Sequence, residues 1–97
     1  MKELQDYRSE IDEIDKEIMK CLARRFEIIR AVGYLKAEKN IEVVQSKRAE
    51  EVINRAMQAA RENNVDPDLV GNFYKAMIDI AHIIENQIKE EQASRGQ

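Results

Sequence analysis

The sequence is poor in the residues that staple, kink or punctuate a fold. It has one cysteine, one proline, three glycines and no tryptophan. Cys21 alone allows no internal disulfide and suits a reducing cytoplasm. With a single histidine beside it, His82, a Cys/His metal site is excluded on numbers, and neither metal nor cofactor is expected. No apolar run reaches the ~18 residues that a membrane span needs. The start, MKELQDYRSE, lacks the apolar core of a signal peptide. A formal net charge of −3 makes nucleic acid a poor default partner. What remains is 97 residues, 43% hydrophobic and 36% charged, the balance of a mostly helical protein. That length makes a single domain, residues 1–97, and argues against a fused regulatory one.

Periodicity carries the fold. Leu4, Tyr7, Ile11, Ile14, Ile18, Leu22, Arg25, Ile29, Val32 and Lys36 step by three and four residues, which predicts one helix over about 4–38. At 1.5 Å per residue it is roughly 50 Å long, far beyond what the rest of the chain can cover. The stripe therefore needs a partner, and a second copy about a two-fold axis is the simplest. The connection AEKNIEVVQ leads to a second helix over about 46–63, with Ser46 expected as N-cap and Ala49, Val52, Ile53, Ala56, Met57 and Ala60 on its apolar side. A third helix, about 67–91, starts with Asp66 as N-cap and Pro67 at the first helical position. Its buried face is expected to comprise Val70, Phe73, Tyr74, Met77, Ile80, Ala81, Ile84 and Ile88, with 92–97 a frayed tail. The expected class is all-α, three helices, long–short–long, in a homodimeric bundle.

Two cations interrupt the apolar stripe of the first helix. Snorkelling to water is the ordinary explanation for such side chains. Arg25 and Lys36, however, lie 11 residues apart on one face, roughly 16 Å, and can lean together on something small and anionic. Arg8 is ~25 Å from Arg25 and too distant to join from the same chain, but an antiparallel dimer brings it to the partner's pocket. Arg48 on the second helix and Glu85 on the third complete a set that makes no sense as core. As a trap for a small dicarboxylate it does, because arginine pairs bidentately with carboxylate and stays charged. His82, one place past Ala81, is read as structural or exposed. Tyr7, Tyr34 and Tyr74 are read as core or rim, and Cys21 as a small filler.

The segments YRSEIDEIDKEIMKCLARR, VGYLK, VVQSKR and FYKAMIDIAHIIENQI, in that order, resemble the all-helical chorismate mutases over about Leu4 to Ile88. The resemblance implies an intertwined helical dimer without cofactor, working in aromatic amino-acid biosynthesis. It implies an isomerase that rearranges chorismate to prephenate through one concerted Claisen step. By position, Arg25 and the partner's Arg8 hold carboxylates with help from Arg48, and Lys36 donates to the ether oxygen. Glu85 stands opposite that lysine. A glutamate donates there only while it holds a proton, so activity is expected to decline as pH rises.

Gln45, Ala49 and Ala81 stand at substrate-facing positions where relatives carry acidic or hydroxyl side chains. VVQSKR is similar to branches acting on 4-amino-4-deoxychorismate, and another branch eliminates pyruvate from isochorismate. A non-catalytic helical dimer is the remaining alternative. It gains if any two of Arg8, Arg25, Lys36, Arg48 and Glu85 point to bulk water.

Overall fold

The computed structural model describes residues 1–96 and forms three helices: α1 (Leu4–Lys39), α2 (Ser46–Glu62) and α3 (Pro67–Arg95). Among the described residues there is no strand, and no helix is long and apolar enough to cross a membrane. The all-α, long–short–long order expected from periodicity holds.

Local chemistry sets the boundaries. The Glu3 backbone N–H donates to the Asp6 carboxylate at 2.8 Å, opening α1. Asn40 closes it in the left-handed region (φ 54°), and the Ile41 N–H donates to the Lys36 carbonyl at 2.9 Å. At α3 the Asp66 carboxylate accepts from the Asp68 N–H at 2.9 Å, with Pro67 at the first helical position. Two expectations shift. Gln45, not Ser46, is the N-cap of α2, and its side chain makes no cap hydrogen bond; Ser46 is already helical. The tail expected to fray from residue 92 stays helical through Arg95, because Glu90, Glu91, Gln92 and Ala93 are good helix formers and nothing before Gly96 interrupts them. Gln97 lies outside the described residues.

α3 is the central element. It packs against both other helices, while α1 and α2 do not pack on each other. Gly33 of α1 meets Glu85 and Ile88, and Leu22 and Arg25 share a groove with Tyr74 and Met77, so α1 and α3 run parallel. Met57 meets Gly71, and Ala49 shares a cavity with Ala81, so α2 runs antiparallel to α3. The buried residues are few: Val43, Ala56, Ala60, Ile78, Ala81, Ile88, with Gly33 and Glu85. Phe73 (73% exposed) and Ile80 (44%) are not on the buried face of α3 as expected. The helix turns Ile78 inward instead, because α3 must serve two neighbours and its buried face follows both.

The chain does not close on itself. Leu4, Tyr7, Ile11, Ile14 and Ile18 all remain at least half exposed along the free start of α1. The radius of gyration is 17.4 Å, against about 13 Å for a compact domain of this size. The accessible surface is 7900 Å², where a compact protein of this mass exposes about 5,700 Å².

Gly33 marks the closest approach of α1 and α3. A Cβ placed there would lie 2.9 Å from Ile88 Cδ1 and 3.4 Å from Glu85 Cα. Alanine gains about 1 kcal/mol of helix propensity, while overpacking a tight contact costs about 1–3 kcal/mol. The second effect should win, since Ile88 Cδ1 has to move and Ile88 is buried, while the Glu85 backbone lies at ordinary contact distance. Gly33→Ala is therefore expected to melt a few degrees lower in a thermal scan monitored by circular dichroism. An unchanged or higher melting temperature would show that Ile88 turns aside freely.

Candidate active site

The three helices and the 40–45 connection enclose a cavity of about 360 Å³. α1 contributes Arg25 and Lys36, the start of α2 contributes Gln45, Arg48 and Ala49, and α3 contributes Ala81, His82 and Glu85. Apolar side chains, among them Val32, Val52 and Ile78, fill the wall between these groups. Six of the seven positions expected from sequence (Arg25, Lys36, Gln45, Arg48, Ala81 and Glu85) thus border one space. Arg8 does not: it lies exposed on the free first half of α1.

Lys36 and Glu85 form the innermost polar pair. Lys36 Nζ lies 2.6 Å from Glu85 Oε1, with side chains only 16% and 4% exposed. The lysine also donates to the Val43 carbonyl at 2.8 Å, so the connection between α1 and α2 helps aim it. The close contact with Oε1 satisfies charge but not hydrogen-bond geometry, and that buried oxygen has no hydrogen-bond partner.

The arginines are less confined. Arg25 is half-buried. Arg48 lines the cavity but is largely exposed, its guanidinium 3.5 Å from Glu51 on the same helix. Such a surface pair is worth less than about 1 kcal/mol and does not prevent the guanidinium from turning inward. The expected convergence of five charged groups is therefore partial within one chain: Arg25, Lys36 and Glu85 are drawn in, while Arg8 and Arg48 meet water, the outcome that favours the non-catalytic alternative. The cavity borders three cations and one carboxylate. Among the described residues no three His, Cys, Asp or Glu side chains are grouped to hold an ion.

The family profile for chorismate mutase type II matches residues 7–87, from just before Arg8 to just past Glu85. The chain belongs to that family. A chorismate mutase of Methanocaldococcus jannaschii is 26% identical over 91 residues, covering 94% of this chain and 92% of its own length. A bifunctional chorismate mutase/prephenate dehydratase of Aquifex aeolicus is 28% identical over 92% of this chain. A T-protein of Haemophilus influenzae is 26% identical over 90% of it. The chain spans about a quarter of those two longer relatives (25% and 23%) and nearly all of the archaeal one.

Two features of the cavity were not expected. Val43 was recognised only as part of a β-branched run, but its carbonyl anchors Lys36. His82, read as structural or exposed, is half-buried and lines the cavity. Its signal was present as the step Ile78, His82, Glu85, four and then three residues apart on one face of α3.

Proposed function

We propose that this cavity is where the chain carries out the family's rearrangement of chorismate to prephenate. The observation that supports the site assignment is the joining of Arg25, Lys36 and Arg48 to a buried Glu85 around one small cavity, in a chain matched by the family from residue 7 to 87. The reaction breaks the ether C–O bond while a C–C bond forms, with no protein nucleophile. Catalysis consists of holding the enolpyruvyl arm over the ring and stabilising charge on the ether oxygen. Arg25 and Arg48 clamp carboxylates, Lys36 donates to the ether oxygen, and Glu85 lies against Lys36 on its far side. Small Ala81 leaves room for the ring.

The working form is a homodimer in the cytoplasm. The exposed apolar start of α1 and the excess accessible surface call for a second copy. In an antiparallel pairing the partner's Arg8 reaches the open side of the cavity, where Arg48 now meets water. The three helices serve as one domain, with no cofactor, nucleic acid or membrane involved.

The likeness of VVQSKR to branches acting on 4-amino-4-deoxychorismate gives a second reading on the same scaffold, rearrangement of that compound; elimination of pyruvate from isochorismate is the third. Comparing kcat/KM on all three compounds tests the assignment. A prephenate-forming rate on chorismate well above the others is expected, and no turnover of any would leave a non-catalytic dimer. Glu85→Gln probes the polar pair. The amide keeps the shape of the side chain and removes the charge that faces the Lys36 ammonium at 2.6 Å. The kcat on chorismate should therefore fall if that charge helps to aim the lysine, and an unchanged kcat would remove Glu85 from the machinery.

A further inference from the structure

We infer that His82 is a specificity-determining residue that, with Gln45, reads an uncharged hydroxyl on the ring of the substrate. The inference rests on the reading of the cavity given above and adds to it the part bordered by α3 and the start of α2. The placement follows from register. Gly71, which meets Met57 of α2, and Ile78 and His82, which line the cavity, recur on one face of α3 seven and then four residues apart. α2 is antiparallel, and Met57 sits at Gly71. Eleven residues up α3 from Gly71 is His82, and a matching rise up α2 from Met57 ends in its first turn, between Gln45 and Ala49. Ala49 and Ala81 have short side chains, and they line the cavity together with Gln45 and His82.

Charge decides what this group can read. The cavity borders Arg25, Lys36, Arg48 and Glu85, three cations against one carboxylate, and Lys36 already engages that carboxylate. A second cation on the ligand would find no free counter-charge. A neutral hydroxyl would find an imidazole nitrogen and the Gln45 carbonyl oxygen. The Gln45 amide nitrogen is occupied, donating to the Glu42 carbonyl at 2.9 Å. A site built to hydrogen-bond a hydroxyl rejects a ligand that lacks it far more strongly than an apolar wall can.

The test pairs variants with matched substrates: chorismate, an analogue with hydrogen in place of the ring hydroxyl, and the 4-amino analogue, protonated at neutral pH. The wild type should prefer chorismate over the ammonium compound by about tenfold or more. His82→Leu should lower kcat/KM for chorismate by about 10- to 100-fold and leave that for the deoxy analogue within about threefold. His82→Gln, which keeps a polar tip, should recover part of the loss and serves as the primary variant if leucine disturbs folding. An equal loss on both substrates would make His82 a structural residue and overturn the inference. So would an unchanged rate on chorismate, or better turnover of the ammonium compound. A wild type inert on chorismate would instead remove the underlying assignment.

Discussion

Lys36→Ala should lower kcat on chorismate by roughly 10²–10³, the size of effect seen when one donor to a developing oxyanion is removed. Two consequences of the substitution must be separated. The ammonium lies 2.6 Å from a carboxylate that is itself 4% exposed, so its loss strands a buried charge. Breaking such a pair from one side costs about 3–5 kcal/mol, a large share of the ~5–15 kcal/mol that holds a small domain together. The single variant should therefore melt early as well as react slowly. Lys36→Ala combined with Glu85→Gln removes the stranded charge, and its melting temperature should return most of the way. Its kcat should not recover, because the donor is still missing. A Lys36→Ala enzyme within tenfold of the parent kcat would mean that the ammonium only neutralises Glu85, and the donor would have to be sought elsewhere.

A mixture of two inactive chains should regain activity if Arg8 works across the dimer. Arg8→Ala and Lys36→Ala are each expected to lose at least about 10²-fold in kcat/KM as homodimers, since a bidentate charge-assisted clamp and the ether donor are removed respectively. Unfolded together and refolded as an equal mixture, half of the dimers carry one chain of each kind. Each of these has one site with both groups intact and one with neither. Recovery to about a quarter of wild-type activity is the expected reading. If Arg8 served its own chain, every site would lack one of the two groups and the mixture would stay inactive. The exposure of Arg8 and its absence from the cavity wall of its own chain are the structural reasons for expecting recovery.

The parts of the molecule set by short-range chemistry were legible in its sequence. The start of α3 is an example: Asp66 accepts from N–H groups two and three residues away, Pro67 acts through its own fixed φ, and both perform the roles their types suggest. Lys36 and Arg25 were legible because they break an apolar rhythm that has no local reason to be broken. The inward face of α3 was harder. A helix with one neighbour shows one stripe, but α3 has two, and the stripes overlap enough to make Phe73 and Ile80 look buried and to hide Ile78. Backbone groups were not legible at all. That the Val43 carbonyl would accept from Lys36 depends on the path of a six-residue connection, which no side-chain pattern encodes. The exposure of Arg48 was missed for a related reason, since a guanidinium near a helix start has Glu51 within reach as readily as the cavity.

That α1 and α2 meet only through α3 and a short link has a further implication for how such a protein diversifies. The Lys36–Glu85 pair bridges α1 and α3, while Gln45, Arg48 and Ala49 sit at the start of α2, tied to that pair through the preceding connection, where the Val43 carbonyl accepts from Lys36. New chemical tastes can accordingly be tried by altering side chains at one helix start, provided that the Val43 carbonyl keeps its place. The division lets inheritance tinker with what is recognised and leave undisturbed what is done to it.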